Sequence, residues 1–351
     1  MGARRLGGGL AATLLVAACS RAQPDGVTSS MPADDAGAAA LVSTCDDGRT
    51  MSLRFYDVGQ GLAALVELPD GRHLLVDAGD DPRRRGCGEA CAVAHRHLVA
   101  SLRRDLHGAS IDLLWITHPH SDHIGGAADV LETFPVGAYV DDGRDLGKTE
   151  VRRTRRAAED RGVPVTVVAP GQTRVPLASR GDVKLTAVVP PAWPAACAHD
   201  ANECSIGLRI DDCRSSVLFV GDAEHEEERA LDPGGPVTLL QVAHHGSETS
   251  TSPEFLSRTR PRYAVISAGK PGAALNRDYC HPRAGIVKRL SRVLGATTGT
   301  TTALEAFDGA RCDRATPEDW VRVPASDALW ATERDGDILL VTSGDGIFSR
   351  R

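Results

Sequence analysis

Along the chain, short apolar runs that end in a polar or charged residue alternate with longer stretches of helical spacing. Leu53, Phe55 and Tyr56 lead into Asp57-Val58-Gly59-Gln60-Gly61, after which Leu62 to Leu68 and His73 to Val76 are joined by Pro69-Asp70-Gly71. This pattern predicts two strands around a tight turn, the second ending at Asp77. Residues 90–106 place Leu98, Leu102 and Leu106 on one helical face, and Ile111 to Ile116 reads as a buried strand. Further on, helices are expected at 127–133, 150–161, 223–231, 253–258 and 284–294. Strands are expected at 138–140, 163–168, 183–189, 207–210, 217–220, 237–242 and 263–267, with a closing hairpin from Ile338. Strands that alternate with helices make a layered α/β protein, and in such proteins sites gather at strand ends.

Composition adds a division of the chain. With 351 residues, 42% of them hydrophobic, the chain can bury a large core. Arg4 and Arg5 precede an apolar stretch from Leu6 to Ala18 that closes in Val16-Ala17-Ala18-Cys19-Ser20. Residues 1–18 therefore read as an export signal too short to span a bilayer. Cys19 resembles the lipidated cysteine of a bacterial lipobox, which implies a membrane anchor in the cell envelope; the alternative is a secreted protein whose signal contains a cysteine. Residues 19–48, rich in Ala, Ser, Asp, Gly and Pro, read as a flexible tether, and 49–351 as the folded domain. Loss of residues 1–18 moves the net charge from -7 to -9. An acidic chain weighs against broad binding to a phosphate backbone, although Arg83-Arg84-Arg85 and Arg152-Arg153-Thr154-Arg155-Arg156 are local basic clusters. Beyond Cys19, eight cysteines remain; in an exported chain they fit up to four disulfides, and no spacing forms a zinc knuckle.

The chemistry concentrates in Thr117-His118-Pro119-His120-Ser121-Asp122-His123-Ile124-Gly125-Gly126. Three imidazoles and a carboxylate within six residues, directly after a buried strand, can converge on cations because a loop leaving a strand turns successive side chains inward. Asp77, Gly221-Asp222 and Ala243-His244-His245-Gly246-Ser247 also follow apolar runs.

In that order these residues resemble the metal ligands of the metallo-β-lactamase superfamily. Together with Asp57-Val58-Gly59-Gln60-Gly61 and Asn276 through His281-Pro282, they look like the soluble hydrolase domain of ComEC-type competence DNA-uptake proteins over residues 50–350. The resemblance implies a single-domain, four-layer αβ/βα sandwich with one or two ions, usually zinc and sometimes manganese. His118 and His120 would hold the first ion, Asp122 and His123 the second, and Asp222 would bridge them. His245, or alternatively His244, would complete the second position. Asp77, Asp122 and His281 are the candidate catalytic residues: Asp77 orients a ligand, and His281 contacts substrate phosphate, moves a proton or caps a helix. The chain departs from the superfamily where a further histidine is usual before the bridging acid; only His199 stands there, with Asn202 and Ser205 as further candidates to complete the first position. It departs again at Leu62, where an acid is usual. Residues 295–328 look like an insertion, and the relatives' membrane channel is absent from the sequence. The implied activity is hydrolysis of phosphodiesters, DNA or nucleotides, by metal-activated water. A lactone, β-lactam or other small ester is the alternative substrate, and a non-catalytic envelope binding module the third reading. Nothing in the sequence speaks to oligomeric state.

Overall fold

A computed structural model describes residues 48–295 and 302–351, which fall in one compact unit. Residues 1–18, read as an export signal, Cys19 and most of residues 19–48, read as a tether, lie outside the described residues.

Two sheets form the centre. The first runs, edge to edge, through Ser349–Arg350 (β16), Ile338–Thr342 (β15), Met51–Phe55 (β1), Ala64–Glu67 (β2), His73–Val76 (β3), Leu113–Trp115 (β4), Tyr139–Asp141 (β5) and Val165–Val167 (β6). The second runs through Leu329–Ala331 (β14), Tyr263–Ile266 (β11), Leu239–Gln241 (β10), Ser215–Phe219 (β9), Gly207–Asp212 (β8) and Val183–Val188 (β7). Alternation along the strands decides the layering. Leu74 and Val76 of β3, with Leu113 and Trp115 of β4, pack toward the second sheet, beside Leu208, Val217 and Phe219. Leu75 and Leu114 face the other way, onto Leu98, Leu102 and Leu106 of Glu89–Leu106 (α1), Val130 of Ala127–Thr133 (α3) and Val151 of Thr149–Asp160 (α4). On the far side, Phe255 of Pro253–Thr259 (α6) and Ile286, Val287 and Leu290 of Ala284–Val293 (α8) cover the second sheet. The result is the helix, sheet, sheet, helix order that the resemblance implied.

Strands β3, β4, β5 and β6 are mutually parallel, as are β9, β10, β11 and β14. Their C-terminal ends release Asp77, Thr117, Asp222 and His244 into neighbouring loops. Trp115 Nε1 donates to Ile206 O at 2.9 Å and Ile206 N to Thr117 O at 2.8 Å, so the two sheets are tied beside those loops.

Among the described residues of the segment expected as an insertion, two strands pair and pack on the core. Thr302–Phe307 (β12) and Trp320–Ala325 (β13) form an antiparallel pair whose Leu304, Ala306, Val323 and Ala325 join the main core over α8. Their alternation was masked by Pro324 and by the polar turn between them. Disulfides join Cys87 to Cys91, Cys197 to Cys204 and Cys280 to Cys312, and Cys213 is disulfide-bonded as well. The cysteines thus serve as staples, as their even number suggested.

Asp142, just past β5, is buried, and its Oδ2 has no hydrogen-bond partner. Burial pushes its carboxyl up to about 7. The folded state therefore holds a proton that the unfolded chain releases near pH 4, so the group's contribution is most favourable below pH 4 and is lost as pH rises through 7. Asp142→Asn is expected to lose roughly 2 kcal/mol less stability than wild type between pH 5 and pH 8, read from urea midpoints at the two pH values.

Candidate metal centre

The loop after β4 turns at once into a single helical turn, Ser121–Ile124 (α2), which swings Asp122 and His123 inward. Two glycines let the backbone close here. A Cβ on Gly61 would lie 2.5 Å from Asp122 O, and one on Gly125 2.0 Å from Asp81 N. The loop 57–61 and the segment after Asp77 can therefore press against the motif only through glycine.

Asp122, His123, Asp222 and His245 are buried, and their ligand atoms lie within 4.8 Å of one another. His123 Nε2 is 3.1 Å from Asp222 Oδ1 and 3.2 Å from His245 Nε2. His245 Nε2 is 3.5 Å from both Asp122 Oδ2 and Asp222 Oδ2. The remote nitrogens fix the chemistry. His123 Nδ1 lies 2.7 Å from Asp77 Oδ2, and His245 Nδ1 2.7 Å from Ser267 O. A carboxylate and a carbonyl only accept, so each Nδ1 carries a hydrogen and the two Nε2 atoms face one another across the cluster. Asp222 Oδ1 is buried with no hydrogen-bond donor. Ring nitrogens and carboxylate oxygens this close are matched by positive charge among them, either a proton on Nε2 or a metal ion, and two imidazoles with two carboxylates are a donor set that suits a divalent ion.

Electrostatics agree. Burial opposes charge on His123, but Asp222 and then Asp77 outweigh it and hold the imidazole pKa well above its ordinary value. Burial likewise raises the Asp222 carboxyl, yet His123, His245 and His244 outweigh it and hold it well below the carboxylate range. The cluster attracts positive charge, whether proton or metal.

Beside it lies the other half of the motif. His118 Nε2 is 3.1 Å from His120 Nδ1 and 3.8 Å from Asp222 Oδ2. Thr117 Oγ1 donates to Asp77 Oδ2 at 2.8 Å and sits 3.1 Å from His118 Nδ1, while Thr117 N donates to Asp77 Oδ1 at 2.8 Å. Asp77 thus orients His123 directly and His118 through a hydroxyl. Burial, then His123, pushes the His118 imidazole well below its ordinary value, so it stands neutral.

The candidates for completing the first position are placed unequally. His199 is exposed beyond the turn Ala195–Ala198 and shares no hydrogen bond, ion pair or ring contact with the cluster. Ser205 Oγ accepts from Asp222 N at 3.2 Å, fixing the bridging acid's backbone. Asn202 Nδ2 donates to Glu224 Oε1 at 3.2 Å. His281 is buried, with its ring 5.2 Å from that of His244 and 6.4 Å from that of His245. Asn276 clamps its backbone, accepting from His281 N at 2.8 Å and donating to His281 O at 2.6 Å. Arg283 caps α8, so His281 is not a helix cap. Sequence reasoning missed the parts played by Thr117, Gln60 and Glu224. Gln60, whose Oε1 accepts from Gly269 N at 3.1 Å and whose Nε2 lies 3.5 Å from His281 Nδ1, had a signal in its flanking glycines.

The profile of the metallo-beta-lactamase superfamily matches residues 56–270. The chain belongs to that superfamily. Within it, the chain is 29% identical to recombination protein 2 of Haemophilus influenzae, over 72% of this chain and 28% of that protein. It is 29% identical to ComE operon protein 3 of Bacillus subtilis, over 67% of this chain and 30% of that protein. With competence protein ComA of Neisseria gonorrhoeae it shares 30% identity, over 67% of this chain and 29% of that protein. The chain therefore spans less than a third of the length of these curated relatives. Among solved structures it is similar to the metallo-beta-lactamase fold protein YhfI of Bacillus subtilis, at 13% identity and a TM-score of 0.38, over 61% of this chain and 85% of that one.

Because one carboxylate aims two histidines, Asp77→Ala is expected to weaken divalent-metal binding about 10–100-fold while the protein stays folded, read by competition against a chelator of known affinity.

Proposed function

We propose that this chain is an exported, metal-dependent hydrolase that cleaves phosphodiesters of DNA or nucleotides. The observation that carries the reading is the convergence of Asp122, His123, Asp222 and His245 within 4.8 Å, buried and electrostatically poised for a cation. The chain's similarity to a recombination protein and to a competence protein supports a nucleic-acid phosphodiester as substrate.

Asp122, His123, Asp222 and His245 would hold one ion, and His118, His120 and Asp222 would contribute to a second. Such an ion brings the pKa of bound water to about 7 and stabilises negative charge on the attacked centre. The protein supplies orientation. Asp77 fixes the histidine tautomers, and Ser205 fixes Asp222. His281 is pressed below its ordinary pKa by burial, then by His244 and His245. It is therefore a neutral imidazole, able to accept a hydrogen bond or a proton beside the centre. Asn276 clamps its backbone, and Gln60 Nε2 lies 3.5 Å from its Nδ1. Cys19 anchors the chain in the envelope through lipid under this reading, with secretion as the alternative. The tether 19–48 then spaces domain 49–351 from the surface.

The basic clusters narrow the substrate. Arg83 pairs with Asp129, Arg84 with Asp80, Arg153 with Asp81, Arg155 with Asp141 and Arg156 with Asp160. Guanidiniums already neutralised within the fold give little counterion release. That favours a short strand or small diester over a long duplex, and it is also what favours the second reading, a small ester or lactone.

The test is hydrolysis by the zinc- or manganese-loaded protein of bis(p-nitrophenyl) phosphate and a single-stranded oligonucleotide, beside a lactone and a β-lactam. Diester cleavage that falls at least about 100-fold in Asp222→Ala and His123→Ala is expected. Turnover of the lactone or β-lactam alone would move the assignment to the small-ester reading. Metal binding with no hydrolysis of any substrate would leave a binding module.

A further inference from the structure

The first half of the centre has two histidines from the motif and, in the segment where a third would be sought, only the exposed His199. Another imidazole, His244, reaches the bridging acid from the second sheet. His244 and His245, in the turn that follows β10, have left-handed backbone, φ 49° ψ 44° and φ 54° ψ 22°. Such a conformation costs a non-glycine residue about 1–2 kcal/mol. It is held by His244 N donating to Gly221 O at 3.2 Å, Ser247 N to His244 O at 2.8 Å and Arg283 N to Gly246 O at 2.9 Å. The two turns present both Nε2 atoms to one oxygen. His245 Nε2 lies 3.5 Å and His244 Nε2 3.9 Å from Asp222 Oδ2, with the rings 6.2 Å apart.

The remote nitrogen of His244 is treated as that of His123 is. His244 Nδ1 lies 2.8 Å from Glu224 Oε1, and Thr249 Oγ1 is 3.2 Å away. The carboxylate only accepts, so Nδ1 carries the hydrogen and Nε2 offers a lone pair. Glu224 is in turn braced by Asn202 Nδ2 at 3.2 Å. Around Asp222 Oδ2, His118 Nε2 and His244 Nε2 stand at 3.8 and 3.9 Å, and His120 Nδ1 is 3.1 Å from His118 Nε2. Neighbouring ligand atoms on a tetrahedral zinc with bonds of about 2.1 Å lie about 3.4 Å apart, within the span of these separations.

We propose that His244 is the third imidazole of the first metal position, joining His118, His120 and Asp222, with Glu224 as the residue that aims it. This rests on the metal-dependent reading of the centre and assigns each histidine of the pair to a different ion. Asn202 acts through Glu224, and His199 takes no part. The competing arrangement is a structural tie in which the Asn202 amide, 3.4 Å from His244 Nε2, donates to it and leaves no lone pair for metal.

The experiment is titration of the metal-stripped full chain with Co²⁺, followed by visible absorption and calorimetry, with thermal unfolding of each metal-free variant as the folding control. Wild type is expected to bind two equivalents. His244→Ala should bind one, retaining the position lost in His245→Ala. Glu224→Gln should keep two equivalents with one affinity lowered about 10–100-fold. If His244→Ala does not fold, Glu224→Gln and His244→Gln carry the test. Two equivalents with both affinities unchanged in His244→Ala would overturn the assignment. So would a wild type that binds a single equivalent regardless of His244, although the metal-dependent reading would then survive. Failure of every variant, wild type included, to bind metal would overturn both.

Discussion

Everything in the centre depends on one fully buried carboxylate. Asp77 has no solvent to screen it, and burying a charge costs several kcal/mol unless partners compensate. The fold supplies Thr117 N, Thr117 Oγ1 and His123 Nδ1, all within 2.8 Å of its oxygens. Meeting that demand also fixes the ring of His123 and, through Thr117, that of His118. The constraint comes from topology. Parallel pairing of β3 with β4 puts Val76 beside Trp115, so that Asp77 directly after one strand meets the motif that opens two residues after the other.

The same logic recurs on the second sheet, where parallel β9, β10 and β11 release Asp222, His244-His245 and Ser267 at adjacent ends. Each inward-facing ligand is matched by an acceptor or donor behind it: Ser267 O for His245, Glu224 for His244, Ser205 for the backbone of Asp222. Glu227 Oε2 in turn accepts from Ser205 N at 3.0 Å, so a second buried acid backs the bridging one. The centre is two sheets' worth of strand ends, joined across the Ile206–Thr117 hydrogen bond.

Much of this was legible in the sequence because it is carried by local pattern. Short continuous apolar runs leading to Asp77, Thr117 and Asp222 mark the strands, and the spacing of His118, His120, Asp122 and His123 marks the loop. What stayed hidden depends on partners distant in sequence. Nothing local says that Glu224 meets His244, or that Arg153 and Arg155 of α4 pair with Asp81 and with Asp141 at the end of β5. The β12 and β13 pair was missed because its apolar alternation is interrupted, and its core role follows only from packing on α8. Likewise, which of two adjacent histidines turns toward His123 is set by backbone dihedrals that no residue type at 244 or 245 announces.

The central claim is that the cluster of His123, His245, Asp122 and Asp222 is built around a cation, with a proton standing in when no metal is bound. The most direct measurement is the number of protons released when Zn²⁺ is titrated into metal-free protein at pH 7, obtained by calorimetry in buffers of different ionisation enthalpy. Release of about one proton with saturable binding and a rise in unfolding temperature is the predicted result. Absence of saturable binding, or binding that releases no proton and leaves the unfolding temperature unchanged, would contradict it.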